Sequence, residues 1–289
     1  MKRLLSLLLL LSVFLAGCGT SSPAEIAATT LPVYEFTARL CDGTGLTVTR
    51  LVTESVSCLH DYSLHVGQVK DAEAADHIVI SGAGLEEFME DLLADKSVMD
   101  ASTGIEILEC EHHQTEGHDH GHHHEVDSHI WLAPENAMRM AENICAGLTA
   151  SYPAHADVFA ANLEALIEDL EALQIYGQTQ LAHLSTREMI TFHDGFGYFA
   201  QAFGLHILEA VEEESGSEAS AMELKHLIGI VREHNLPAVF TEVNGSCSTA
   251  EVIGRETGAR IYALDMAMGG DSYFDAMYHN IDTIKEAME

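Results

Sequence analysis

Two α/β lobes with largely parallel sheets, joined by one long helix, are what this sequence predicts, and three observations carry the prediction. Between Glu25 and Leu108, short apolar runs alternate with stretches of helical period. From Glu188 to Met288 the same alternation returns. Between the two, residues 154–184 read as one helical stretch in which Gly177 is the only Gly or Pro. A βαβα order calls for a parallel sheet with helices on both faces. At 1.5 Å per residue, roughly 30 residues of helix span about 45 Å, more than one lobe needs, so the helix is expected to run between two lobes.

The elements follow from local pattern. Ile26–Leu31 leans towards a strand, Pro32 can open a helix that continues through Val33–Leu40, and Leu46–Val52 alternates as a strand. Val69–Asp76 reads as helix, His77–Gly82 as a buried strand ending in glycine, Leu85–Leu93 as helix and Gly104–Leu108 as a short strand. Pro134 starts a helix reaching Ser151, with Met138, Met140, Ile144 and Leu148 at helical spacing, and the long stretch places Phe159, Leu163, Leu166, Leu170 and Leu173 likewise. In the second half the strands are Glu188–Phe192, His206–Val211, Ala238–Thr241 and Arg260–Leu264. Its helices are Gly197–Phe203, Ala221–His234, Thr249–Gly258 and Tyr273–Met288. The expected organisation is an N-terminal lobe over 25–151, a linking helix over 152–184 and a C-terminal lobe over 185–289.

Ahead of the lobes, Met1–Cys18 has a basic start (Lys2, Arg3), an apolar run from Leu4 to Leu15 too short to span a bilayer, and then Leu-Ala-Gly-Cys. The layout is that of a secretory signal over 1–17. Its last four residues resemble the bacterial lipobox, in which the Cys, here Cys18, is lipidated. Residues 18–24 would then tether the folded body to a lipid anchor. Removing residues 1–17 takes away Lys2 and Arg3 and leaves 11 basic against 46 acidic residues, a net charge of −35 with neutral histidine. Such a field repels nucleic acid and attracts cations. Five further cysteines (Cys41, Cys58, Cys110, Cys145, Cys247) show no CxxC spacing, which excludes a zinc ribbon and leaves their pairing open.

One segment is built for metal. Within residues 111–125 stand His112, His113, His118, His120, His122, His123 and His124, interleaved with acidic residues and glycine. That composition offers imidazole and carboxylate but nothing to a core, so it reads as an auxiliary metal-attracting loop. His129 differs, because Ile130-Trp131-Leu132 beside it would fix it at the edge of a packed body. In open α/β sheets ligands bind at the carboxyl ends of strands. His60, His129, His193 and Asp265 occupy such positions, two from each half, a three-His, one-carboxylate set suited to zinc in a cleft between lobes.

The motifs around these residues, His60-Asp61-Tyr62, Ala75–Gly82 with Leu85-Glu86, Asp127–Leu132, Thr191–Phe199, Phe240-Thr241-Glu242 and Leu264-Asp265, resemble in order those of the metal-binding lipoproteins of ABC importers. The resemblance covers nearly the whole chain beyond the leader. It is greatest to the zinc-uptake branch, whose members carry a His-rich acidic loop before the second ligand and His at the third. It implies two α/β lobes on one long helix, and His60, His129, His193 and Asp265 as ligands. Glu242 matches a family acidic position near the cleft, either supporting a ligand or standing in as the carboxylate. Where the family has prolines after the first motif, this chain has Ser63-Leu64-His65-Val66, so His65 is a competing donor. Trp131 and Tyr198 are expected to pack rather than touch metal.

The implied function is capture of Zn²⁺ outside the cytoplasm and its delivery to the permease and ATPase of an ABC importer, with no catalysis and a membrane link through lipid alone. Imidazoles with one carboxylate suit a borderline-soft ion, whereas Ca²⁺ or Mg²⁺ wants an oxygen shell. The alternatives are a manganese-binding member of the same family, a zinc hydrolase, which would need an open coordination position, and an adhesin. No HExxH is present for the hydrolase.

Overall fold

The structure is a computed structural model that describes residues 24–54, 59, 62–109, 126–211 and 219–289. Cys18 with the leader, His60 and the histidine-rich segment 111–125 lie outside the described residues. In the first half, β1 (Ile26–Ala28), β2 (Val48–Arg50), β3 (His77–Ile80) and β4 (Ser97–Asp100) form a parallel sheet in the order β2-β1-β3-β4. Helices α1 (Leu31–Leu40), α2 (Val66–Ala74) and the short α3 (Glu90–Leu93) connect its strands, and α4 (Pro134–Ser151) follows. Helix α5 (Ala156–Gln180) leads to the second half. There β5 (Glu188–Thr191), β6 (His206–Ala210), β7 (Ala238–Glu242) and β8 (Arg260–Leu264) form a parallel sheet in the order β6-β5-β7-β8. Helices α6 (Gly197–Phe203), α7 (Ala221–Glu233), α8 (Ser248–Thr257) and α9 (Tyr273–Met288) complete it. Two parallel-sheet lobes with a long helix between them are thus observed.

Four expectations are corrected. The strand expected at Gly104–Leu108 is absent, and the fourth strand is Ser97–Asp100, in register with β3 from His77 to Ile80. Its Val98 and Met99 are too few to stand out as an apolar run, whereas Ile105, Ile107 and Leu108 pack on the core without pairing. The expected helix Leu85–Leu93 is a 3₁₀ turn (Glu87–Met89) followed by one turn of α-helix. Helix α2 begins at Val66 rather than Val69. His65 Nδ1 accepts the backbone N–H groups of Gly67 and Gln68, and Gln68 Oε1 accepts the N–H of His65. A histidine here serves as a helix cap, which accounts for the competing donor by local geometry. Helix α5 has 25 residues rather than about 30. A 3₁₀ turn (Pro153–His155) precedes it, and Arg187 receives its end by donating to the carbonyls of Leu181 and Ala182.

One continuous apolar core runs through both halves, joining Phe36 and Leu40 of α1, Met140 and Ile144 of α4, Leu166 and Leu170 of α5, and Met277 and Ile281 of α9. Helix α5 packs on α1, α4 and α9, and so touches elements of both halves. At about 1.5 Å per residue it is roughly 37 Å long, enough to serve both lobes. The lobes therefore share buried surface rather than swinging on a free hinge.

Glu86, just beyond β3, is buried and accepts hydrogen bonds from Thr29 Oγ1 (2.7 Å) and from the N–H groups of Ser81 (2.8 Å) and Gly82 (3.0 Å). Burial pushes its carboxyl up to about 7, against the pull of these donors. The folded chain thus holds this proton more tightly than the unfolded chain, so the group's contribution is fully present below about 4.5 and lost as pH rises through about 7. Glu86→Gln should flatten the stability profile across that window. Chemical denaturation at a series of pH values checks it, and a slope equal to that of the parent would refute the assignment.

Candidate metal centre

His129 directly precedes the 3₁₀ turn Ile130–Leu132, whose three side chains are fully buried, so the ring is held at the rim of the core. Its Nδ1 lies 2.9 Å from Asp127 Oδ1, and the same oxygen accepts the His129 backbone N–H at 2.9 Å. Asp127 is itself buried. A carboxylate facing Nδ1 places the ring proton there and leaves the lone pair on Nε2, the arrangement by which a carboxylate orients a metal-binding histidine.

His193 stands two residues beyond β5, where Thr191 Oγ1 donates to its carbonyl at 3.0 Å. Its Nδ1 lies 2.9 Å from Oε1 of Glu242, the buried last residue of β7. The same reasoning assigns the His193 lone pair to Nε2. The two Nε2 atoms are 3.3 Å apart, with the rings edge to face. With each ring proton assigned to the Nδ1 beside its carboxylate, the two Nε2 atoms meet as acceptors, a contact that a shared cation would satisfy. Two nitrogens bound at about 2.0–2.1 Å to a tetrahedral ion stand roughly 3.3–3.4 Å apart, which is the separation seen.

Two glycines make this approach feasible. A Cβ on Gly195 would lie 2.7 Å from His193 Cδ2, 2.7 Å from Met266 Cε and 2.8 Å from His129 Cε1, and one on Gly197 would lie 2.9 Å from Asp127 Oδ2. The first is the floor on which both rings rest.

Asp265 follows β8 and lines a small cleft together with Glu242, Leu264, Met266 and Met268. Its Oδ1 accepts the N–H of Ala267 at 2.8 Å. The amide of the fully buried Asn280 on α9 brackets its backbone: Asp265 N–H donates to Asn280 Oδ1, and Asn280 Nδ2 donates to Asp265 O, both at 2.7 Å. His193, Glu242 and Asp265 thus arise at the carboxyl ends of the neighbouring strands β5, β7 and β8. The structure brings His129 and His193 together. It does not draw Asp265 into one group with them: among the described residues no three His, Cys, Asp or Glu side chains are placed to hold an ion by themselves. Tyr198 secures the neighbouring stem, its hydroxyl accepting the N–H of Leu108 at 2.9 Å and reaching the carbonyl of Glu106 at 3.3 Å. Glu109 and Val126 form an antiparallel bridge at the base of the histidine-rich segment.

The family model described as ZnuA, zinc-uptake complex component A, periplasmic, matches residues 26–287. The chain belongs to this family. It is 29% identical to the zinc-binding lipoprotein AdcA of Streptococcus pneumoniae over 100% of its own length, and it spans 62% of that relative. The high-affinity zinc uptake system protein ZnuA of Bacillus subtilis is 28% identical, with 96% of this chain and 94% of that protein covered. Among solved structures, a crystal structure of ZnuA superposes with a TM-score of 0.79 at 29% identity, covering 92% of this chain and all of that one.

Within this ZnuA-family chain, the residues that sequence reasoning left without a role are Asp127, Gly195 and Asn280. Asp127 had a usable signal, since an acidic residue two positions before a histidine can reach back to its ring and backbone. Gly195 and Asn280 had none, because their partners come from other elements.

Proposed function

We propose that this chain captures Zn²⁺ outside the cytoplasm, held to the membrane by a lipid on Cys18, and passes the ion to the permease and ATPase of an ABC importer. The carrying observation is the His129–His193 pair, with its Nε2 atoms 3.3 Å apart and each Nδ1 against a buried carboxylate. His60 and Asp265 would complete four protein ligands, the aspartate through Oδ2 while Oδ1 keeps the N–H of Ala267. The relatives, named a zinc-binding lipoprotein and a zinc uptake system protein, support the same reading. Glu242 engages His193 and so is spent as a support, which leaves the centre without a second carboxylate and argues against manganese. A sphere closed by four protein ligands has no position for water and so does not suit hydrolysis.

The deciding experiment uses the protein without residues 1–18. Tight binding of one zinc, poor competition by manganese and no ester or peptide hydrolysis above background are expected. In the cobalt-substituted protein, Asp265→Ala should alter a four-coordinate spectrum. Hydrolysis lost together with zinc would overturn the reading.

A second expectation concerns the histidine-rich segment. The Glu109–Val126 bridge holds the ends of the stem side by side, so a short Gly-Ser linker can replace residues 111–125 without strain. Titration of that variant should keep the first zinc equivalent and lose weaker additional ones. Loss of the first equivalent would place the tight site in the loop instead.

A further inference from the structure

The turn that carries Asp265 is held at its carbonyls by side chains from elsewhere in the chain. Asn280 takes the carbonyl of Asp265, and Trp131 Nε1–H donates to Met266 O at 2.8 Å. Arg50 of β2 donates from Nη1 to Gly270 O at 2.8 Å, while its Nη2 lies 3.5 Å from Met268 O. The same guanidinium grips its own lobe, through Nε to Val52 O at 2.6 Å and through Nη2 to Thr53 O at 3.4 Å. Just beyond the turn, the N–H of Tyr273 donates to Glu35 Oε2 at 2.6 Å, and the Tyr273 hydroxyl donates to Trp131 O at 2.8 Å. Glu35, Arg50 and Trp131 all precede α5 in the chain, so the first half supplies most of the bonds that hold this segment of the second.

The turn needs such restraint. Ala267 is fully buried with φ of 55°, a left-handed conformation that is strained for a non-glycine residue and persists only where surroundings impose it. Asp265 Oδ1 accepts the N–H of this residue. The carboxylate's direction is therefore tied to the strained backbone.

We propose that Arg50 is a positioning residue for the metal centre: by bridging the 52–53 backbone of the first lobe to Gly270 and Met268 of the second, it holds the Asp265 turn in place and slows the escape of bound ion. Arginine suits this role because its planar fork presents five donors in fixed, spread directions that span carbonyls of both lobes, whereas an ammonium is a compact point with three. Burial works against the cation and lowers its pKa, and the fields of Tyr34, Asp271 and Glu54 offset only part of that, so the carbonyls it binds are what hold it. The inference rests on the zinc reading above.

The test compares wild type, Arg50→Ala, Arg50→Lys and Arg260→Ala, all lacking residues 1–18. Arg260 gives a control, because it binds the carbonyls of Glu286 and Ala287 at the end of α9 and touches none of the turn. Zinc release is followed by stopped flow into a chelator, ligation by the cobalt spectrum, and the turn itself by amide hydrogen exchange of residues 265–270 without metal. Arg50→Ala and Arg50→Lys should both release zinc about tenfold faster, shift the cobalt spectrum and raise exchange across the turn, with Arg260→Ala like wild type in all three. Wild-type release and exchange in Arg50→Ala would overturn the proposal, and so would full rescue by Arg50→Lys, which would mean that charge alone suffices. Failure of the wild type to bind zinc tightly would instead refute the zinc reading, while the exchange data without metal would still judge the bridge.

Discussion

Zinc binding should weaken by at least roughly tenfold, or about 1.4 kcal/mol, when His193 is replaced by Ala, and by a similar factor in His129→Ala. Both rings are fixed before any ion arrives. Asp127 and Glu242 hold the two Nδ1 positions at 2.9 Å, and Gly195 lets the rings meet without a methyl group between them. Ordering is thus largely complete in the folded chain, and little entropy is lost on binding. The histidines at 112–124 stand instead among glycine and acidic residues, with nothing apolar to hold them, so they cannot replace a lost ring at equal affinity. Competition titration against a chelator of known affinity measures the change. Wild-type affinity in His193→Ala would remove that residue from the ligand set and with it the meaning of the 3.3 Å separation.

Trp131→Ala should lower the stability of the folded chain by about 3–5 kcal/mol, the cost of deleting a large aromatic side chain from a packed interior. Trp131 is the single tryptophan and has no solvent exposure. It sits where both lobes meet, its Nε1–H on Met266 O and its own carbonyl taken by Tyr273. The truncation leaves a cavity and removes the donor from a buried carbonyl. For a chain of this size, a loss of that order lowers the melting temperature by roughly 10 °C. Trp131→Phe should fall between the two, restoring much of the volume but not the bond. The indole also stands 5.4 Å from the His129 ring centroid, so Trp131→Ala should weaken zinc binding as well. A melting temperature within about 2 °C of wild type, less than a loss of 1 kcal/mol gives in a chain this large, would show that the lobes do not depend on this contact.

Local pattern in the chain was enough for one set of features. Apolar period and turn residues placed the strands and helices of the second half within a residue or so, as with Gly197–Phe203 and Arg260–Leu264. The order of those elements implied parallel sheets, because each strand is followed by a crossover helix. Charge and composition pointed to cations, and the position of His193 and Asp265 at strand ends was legible for the same reason. What tertiary structure alone decided were relations between distant residues. Ser97–Asp100 became the fourth strand through its partner β3, its own apolar content being slight. His65 became a helix cap through hydrogen bonds that no composition announces. Glu242 faces the ring of His193, Asn280 brackets Asp265 and Arg50 reaches Gly270 across 220 residues of chain. Periodicity reports which face of an element is buried, but it carries no information on which element it is buried against. The convergence of two imidazole nitrogens is therefore a property of the packed lobes.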